Sequence, residues 1–149
     1  MYLKGKRGVV MGVANDHSIA WGIAKQLSDQ GAELCFTYQG ESLLRRIKPL
    51  AESINNNFII ECDVLNNESV KNTFKQIKKE WGSLDFVLHS IAFSDKNELK
   101  GKFVNTTRDN FSNTMLISCF SFTEIAKEAY PLMNSGGSML TLTYDGSQR

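Results

Sequence analysis

Short apolar runs of strand length alternate with segments whose apolar residues recur every three or four positions, from residue 8 to residue 144. Such alternation is typical of βαβ units, whose right-handed crossovers build a parallel sheet. We therefore predict an α/β fold with a doubly wound parallel sheet of five strands and four intervening helices. The predicted strands cover residues 8–11, 34–38, 58–60, 85–89 and 139–144, and the predicted helices cover 19–27, 43–54, 70–81 and 111–129.

Several residues mark where these helices begin or end. Pro49 should bend the second helix or mark its start, because proline removes a helical hydrogen bond. Asn66 or Asn67 is the expected N-cap of the third helix. Gly136 and Gly137 are expected to end the fourth.

Composition favours a single soluble domain over residues 1–149. Seventeen basic and sixteen acidic residues give a net charge of +1, so no overall field favours nucleic acid or an anionic membrane as a partner. The chain shows neither a secretory leader nor an apolar stretch of about 20 residues, and we expect it in the cytoplasm. Cys35, Cys62 and Cys119 are widely spaced, so we expect buried hydrophobic side chains rather than disulfides or metal ligands.

Polar and small residues follow the predicted strands at their carboxyl ends. In a doubly wound sheet, ligands bind outside the carboxyl ends of the strands, where the strand order reverses. A single residue of this kind is commonly structural, but their joint placement predicts a binding site. The residues concerned are Gly12, Gln39, Asp63, Val64, Ser90, Ile91, Ala92 and Tyr144.

The segment GVANDHSIAWG, residues 12–22, joins the first strand to the first helix. Gly12 would permit a tight turn, and Ser18 and the helix N–H groups could bind a pyrophosphate. Ala20 and Gly22 are small enough for close packing of the helix on the sheet, and His17 is expected to be exposed. The loop is longer than the usual dinucleotide fingerprint, so an ordinary loop remains the alternative.

The second and third strands end in residues suited to adenosine. Gln39 stands where an acidic residue usually binds the ribose, and its amide can still hydrogen-bond a hydroxyl. Asp63 could accept a hydrogen bond from the adenine amino group while Val64 packs on the ring. Asp63 could equally be a cap in front of the next helix.

Five segments in order resemble the bacterial NADH-dependent enoyl-acyl-carrier-protein reductases, a divergent branch of the short-chain dehydrogenase/reductases. Residues 12–20 resemble the G-x5-S-x-A cofactor loop of that family. The other segments resemble the ends of its next four strands: GAELCFTYQ (31–39), CDV (62–64), HSIAF (89–93) and SMLTLTY (138–144). The resemblance implies a Rossmann-type sheet with strand order 3-2-1-4-5.

The resemblance also implies an activity and a set of site residues. The reaction is hydride transfer from NADH to the C2=C3 bond of a trans-2-enoyl thioester on acyl carrier protein, in a homotetrameric enzyme of fatty acid synthesis. Tyr144 matches a catalytic tyrosine that can donate to the thioester oxygen, and Ser94 would lie near the substrate. The cofactor would contact Gly12, Ser18, Ile19, Gln39, Asp63, Val64, Ser90, Ile91 and Ala92.

The chain also departs from the family pattern. The second tyrosine, the lysine that holds the nicotinamide ribose and two further strands would follow the last residue, Arg149. Asp145 stands in place of an apolar or aromatic residue, Gln148 in place of an acid, and Ser94 is an unusual choice. The chain is therefore expected to be the cofactor-binding half of such a reductase, truncated relative to the family.

Two other functions stay open. The first is a non-catalytic dinucleotide-binding or interaction fragment whose open fifth strand seeks a partner. The second is a carbonyl-reducing relative with the same fold, although Gln39 and the S-x-A spacing favour the enoyl reductases.

Overall fold

A computed structural model describes residues 1–147 as a five-stranded parallel sheet in the order β3-β2-β1-β4-β5, which confirms the predicted fold class and strand order. The strands are β1 (Arg7–Met11), β2 (Glu33–Tyr38), β3 (Ile59–Glu61), β4 (Leu84–His89) and β5 (Met133–Thr141). The helices are α1 (Ile19–Asp29), α2 (Glu41–Ser53), α3 (Asn67–Trp81), α4 (Arg108–Met115) and α5 (Ser121–Ala129). A π-helical segment, Leu116–Phe120, joins α4 to α5, and short 3-10 turns cover Phe103–Asn105, Tyr130–Leu132 and Asp145–Ser147.

Two hydrophobic clusters lie on opposite faces of the sheet. Successive strand side chains point to opposite faces, so Val9 and Val10 enter different clusters. The cluster around Val10 includes residues of α1 and α2, whereas the cluster around Val9 includes residues of α3 and α5. Both faces of β1 are therefore fully buried, which explains its continuous apolar sequence.

The first three helices begin and end largely as their sequences predict. Asn66 caps α3, because its side-chain oxygen accepts the backbone N–H groups of Glu68 and Ser69 at 3.0 and 3.3 Å. Pro49 lies inside α2, which begins eight residues earlier at Glu41, so the proline does not mark the start of the helix.

The fourth predicted helix differs most from expectation. It is divided by the π segment and ends at Ala129, before a 3-10 turn that contains Pro131. The expectation that Gly136 and Gly137 end this helix is wrong, because both lie inside β5. A register shift opposite Leu84 and Phe86 places them at a β-bulge, a position that glycine suits. The strand itself ends at Thr141, earlier than predicted.

The three cysteines are free thiols in two different environments. Cys35 and Cys62 are buried, as predicted, and desolvation raises the pKa of both thiols. Cys119 is exposed, which corrects the prediction for that residue. It lies on the π segment, where Leu116 and Phe120 are exposed as well, so an apolar local pattern does not ensure burial on this surface.

Candidate dinucleotide-binding site

A cleft of about 370 Å³ opens at the carboxyl ends of β1 to β4. This is the edge at which ligands bind in doubly wound sheets. Most of the predicted cofactor-binding residues line it, namely Gly12, Gln39, Asp63, Val64, Ser90, Ile91 and Ala92. Its walls also include residues that sequence reasoning did not single out, among them Val13, Tyr38, Leu43, Leu65, Phe93 and Ile117.

Gly12 lies where the first loop passes against the end of β4. Its φ is +98°, a conformation that residues with a Cβ rarely adopt. A Cβ at this position would lie 1.8 Å from the carbonyl oxygen of Ser90. The backbone N–H of Ser90 in turn donates to the carbonyl of Met11 at 3.0 Å. Only glycine fits this close approach, so the loop leaves the sheet directly at the floor of the cleft.

The rest of this loop is held by its own polar groups. The side-chain oxygen of Asn15 accepts the backbone N–H of His17 at 2.9 Å, and the Ser18 hydroxyl donates to the Asn15 carbonyl. Ser18 and Ile19 lie at the start of α1, outside the cleft lining, and Ile19 is 67% exposed. A helix start presents backbone N–H groups that lack intrahelical partners, which suits an anion.

The three remaining predictions for this segment have mixed outcomes. His17 is exposed, as predicted, and Ala20 is fully buried under the helix, also as predicted. Gly22 is exposed, and a Cβ built on it would meet no atom within 4 Å. Close helix packing therefore explains Ala20 and does not explain Gly22.

The side of the cleft formed by the ends of β2 and β3 combines an amide with carboxylates. Asp63 accepts the backbone N–H of Leu65 at 3.0 Å, so it forms a local turn and leaves the capping of α3 to Asn66. Gln39 is exposed at the rim. The structure adds Glu61, whose carboxylate accepts the backbone N–H of Gly40 at 3.3 Å.

Glu61 reaches this position because β3 pairs in parallel with β2, with Glu61 opposite Tyr38. Desolvation, followed by the charges of Glu61 and Glu41, raises the pKa of the Tyr38 phenol. Glu61 thus adds a carboxylate near Gln39, whereas Glu41 is paired with Arg45 at 3.2 Å. The alignment of β2 with β3 is the signal that would have identified Glu61.

The segment after β4 is fixed to the helices above it. The Ser118 hydroxyl accepts the Phe93 backbone N–H at 3.1 Å and lies 3.2 Å from the Phe93 carbonyl. Ser94 contacts the side chains of Thr114 and Asn110 at 3.0 and 3.2 Å. These bonds hold the wall formed by residues 90–93 in one place, and the Ser94 hydroxyl is directed at α4 rather than into the cleft lining.

Tyr144, the predicted catalytic residue, lies three residues beyond the end of β5 and is 90% exposed. It is not part of the cleft lining. Gln148, another residue singled out by the sequence, falls outside the described residues. Within residues 1–147 there is no cluster of potential metal ligands and no helix long and apolar enough to cross a membrane.

Comparison with known proteins gives a consistent result. The family model described as Enoyl-(Acyl carrier protein) reductase matches residues 12–149. Enoyl-(acyl-carrier-protein) reductase (NADH) 2 of Rhizobium meliloti strain 1021 is 65% identical over 99% of this chain and 55% of its own length. The FabI reductase of Rickettsia bellii is 53% identical over 99% of this chain and 56% of its own length.

Two solved structures share the fold closely. FabI from Candidatus Liberibacter asiaticus superposes with a TM-score of 0.96 at 61% identity, over 99% of this chain and 57% of its own. The reductase of Anaplasma phagocytophilum in complex with NAD superposes with a TM-score of 0.95 at 56% identity, over 100% of this chain and 57% of its own. The chain thus spans little more than half the length of these relatives, and it belongs to the enoyl-(acyl carrier protein) reductase family.

Proposed function

We propose that this chain forms the cofactor-binding portion of an NADH-dependent enoyl-acyl-carrier-protein reductase, which reduces the C2=C3 bond of a trans-2-enoyl thioester. The observation that carries the proposal is the cleft at the carboxyl ends of β1 to β4, where Gly12 lies against the Ser90 carbonyl and Asp63 and Gln39 stand on the opposite side. A relative that is 56% identical over the whole chain was solved in complex with NAD.

The residues present fit NADH. The absent Cβ of Gly12 lets a diphosphate approach the start of α1, where backbone N–H groups favour negative charge. Asp63 accepts from the adenine amino group, and Gln39 binds the ribose beside Glu61, whose charge repels a 2′-phosphate. Ser90, Ile91 and Ala92 form the nicotinamide side. When bound, NADH supplies the hydride.

The chemistry required of the protein is stabilisation of negative charge on the thioester oxygen. Hydride addition at C3 moves the electron pair of the double bond toward C2 and the carbonyl oxygen, and a proton then adds at C2. Tyr144 is the described residue proposed to donate a hydrogen bond to that oxygen. Ser94 is proposed to lie near the substrate. Among the described residues that line the cleft, none is a lysine, and Asp63 is the carboxylate.

We expect the 149-residue chain by itself to bind NADH weakly and to reduce nothing, because the cleft residues contact the cofactor while the oxyanion donor stands apart from them. Quenching of tryptophan fluorescence by NADH measures the binding, and loss of NADH absorbance with a crotonyl thioester measures turnover. Absence of saturable NADH binding would overturn the proposal. Turnover by the 149-residue chain alone would overturn the expectation that it binds the cofactor without reducing the substrate.

We also propose that the chain forms a homo-oligomer, with a tetramer as the family expectation. Large apolar side chains of α4 and the π segment are exposed, which is typical of interaction surfaces. They are Phe111, Met115, Leu116 and Phe120. Light scattering at several concentrations measures the oligomeric state.

A non-catalytic interaction fragment is the second candidate. A second hollow, of about 290 Å³, lies on the sheet face beside α1 and is lined by apolar side chains including Ile23, Phe86, Leu88 and Leu140. An open apolar hollow next to an exposed edge strand favours association with another protein surface. A chain that self-associates but shows no saturable NADH binding would support this candidate over the first.

A further inference from the structure

His89 is a buried polar residue at the end of β4, with 1% of its surface exposed. Its Nδ1 lies 2.9 Å from the Thr141 hydroxyl on β5, and its Nε2 lies 2.8 Å from the Ser121 hydroxyl on α5. The ring also packs beside Phe122, with 5.3 Å between the ring centroids. A single imidazole therefore joins the two last strands to the helix above them.

The available donors and acceptors determine the direction of each hydrogen bond in this network. The Ser121 hydroxyl has one proton and lies 2.6 Å from the carbonyl oxygen of Ile117, which can only accept. Ser121 must therefore accept from Nε2–H of His89. In a neutral imidazole, Nδ1 is then the acceptor, and the Thr141 hydroxyl donates to it. Burial, which lowers the pKa of His89, favours this neutral ring.

The chain of bonds ends at an irregular point of the helix. The backbone N–H of Ser121 bonds to the Leu116 carbonyl, as in a π-helix. The Ile117 carbonyl therefore loses that regular partner and accepts the Ser121 hydroxyl instead. A polar side chain that satisfies a carbonyl displaced by a π turn stabilises the turn.

One end of the network reaches the candidate cleft, and the other lies on β5. Ile117 lines the cleft, and so does Ile91, two residues after His89. The backbone N–H of Leu142 donates to the His89 carbonyl at 3.3 Å, two residues before Tyr144. The network thus fixes the cleft wall formed by the π segment relative to the end of β5.

We propose that His89 is a positioning residue for NADH binding: a neutral imidazole protonated on Nε2 holds the π segment, and with it Ile117, in place through Ser121. The proposal rests on the proposed function of the cleft. His89 does not line the cleft and acts through Ser121 and Thr141.

The first test is the tautomer of His89, read by ¹⁵N imidazole NMR of the wild-type 149-residue chain at pH 7.5. The chain has two histidines, and the exposed His17 serves as the internal control. We expect a proton on Nε2 and a pyridine-like Nδ1 for His89, and averaged signals for His17. A proton on Nδ1 of His89, or a charged ring, would overturn the proposal.

The second test compares NADH affinity among variants whose folded fraction is monitored by circular dichroism. We expect Ser121→Ala to weaken NADH binding about tenfold, the size of effect that loss of one buried hydrogen bond produces. The control Thr123→Ala changes an exposed residue of the same helix and is expected to leave the affinity unchanged.

Two substitutions of His89 separate the two ends of the network. A glutamine amide reaches the Nε2 position, whereas an asparagine amide reaches only the Nδ1 position. We expect His89→Gln to bind NADH within about threefold of wild type and His89→Asn to resemble Ser121→Ala. Equal affinity in wild type and Ser121→Ala, or equal loss in both His89 variants, would overturn the positioning role. A wild-type chain that does not bind NADH would overturn the proposed function and this role with it.

Discussion

The inner strands of the sheet and the edge strand β5 differ in how completely other elements cover their apolar residues. Val9, Val10 and Met11 of β1 are fully buried between helices on both faces. Leu140 of β5 is 53% exposed, although it also lies in a predicted strand that carries Met139 and Leu142. An apolar run therefore predicts a strand in both places, but burial depends on which elements cover it. The cleft opens at the ends of β1 to β4, whereas Tyr144 follows the exposed edge strand β5.

The largest expected effect comes from truncating a buried side chain on an inner strand. Phe36 of β2 is fully buried and packs near Trp21, with 6.2 Å between the ring centroids. We expect Phe36→Ala to lower the free energy of unfolding by about 3–5 kcal/mol. Leu140→Ala on β5 should cost under about 1 kcal/mol, since half of that side chain is already exposed. Urea unfolding measures the free energy of unfolding of both variants. Similar losses would show that Phe36 on β2 and Leu140 on β5 are equally covered.

The second prediction concerns the loop at the floor of the cleft. Gly12→Ala should lower the free energy of unfolding by about 3 kcal/mol, because the residue has a positive φ and its Cβ would meet the Ser90 carbonyl. The control is Gly22→Ala, which replaces glycine in an exposed helix position with open space around it. We expect that change to stabilise the chain by about 0.5–1 kcal/mol. The reverse ranking would contradict the close approach at Gly12.

The third prediction tests the opposite, amino-terminal edge of the sheet. Asp85 accepts hydrogen bonds from the Lys6 side chain at 2.9 Å, the Arg7 backbone at 3.0 Å and Asn134 at 3.1 Å. Burial alone would raise the pKa of Asp85, but these three donors outweigh it and lower the pKa. We expect Asp85→Asn to cost about 1–2 kcal/mol at pH 7.

The pH dependence of that cost follows from the lowered pKa. The stabilisation by Asp85 is fully present above its unfolded pKa of 3.8 and is lost as the pH falls through the lower folded pKa. The free energies of unfolding of wild type and Asp85→Asn should therefore begin to converge below about pH 4 and approach each other further as the pH falls through the lower folded pKa. A difference that persists unchanged into that range would contradict the role of the carboxylate.

The smallest expected effect comes from the titration of His89, which lies at the end of β4 beside the edge strand β5. Burial lowers the pKa of folded His89 below its ordinary value of 6.5, so the unfolded chain binds more protons than the folded chain as the pH falls below that value. The free energy of unfolding should fall on acidification below pH 6.5, by at most about 1.4 kcal/mol per pH unit. The contacts of the ring, Ser121, Thr141 and Phe122, are uncharged. His89→Gln should lack this contribution, and a parallel loss in both chains between pH 7.5 and 5.5 would contradict it.

The sequence predicted the alternation of strands and helices because apolar runs of strand length and apolar spacing of three and four distinguish the two kinds of element. It also predicted Gly12, whose turn requires positive φ. It did not predict the π segment, since apolar spacing of three and four is shared by regular and π-bulged helices. Cys119 was misplaced because an apolar local pattern does not ensure burial, and its neighbours Leu116 and Phe120 are exposed too. Ile117 was missed because it lines the cleft from the irregular π segment, and Glu61 was missed because strand register brings it beside Gly40, and neither feature is visible in one local segment.

The most direct test of the cleft is to map NADH binding on the ¹⁵N-labelled chain by amide chemical shifts. We expect the shifts to concentrate at the carboxyl ends of β1 to β4, at residues including Gly12, Gln39, Asp63 and Ser90. The amide chemical shifts of Ile23 and Leu140, which line the hollow beside α1, should not change on addition of NADH. Shifts confined to that hollow, or no saturable shifts at all, would contradict the assignment of the cleft as a dinucleotide site.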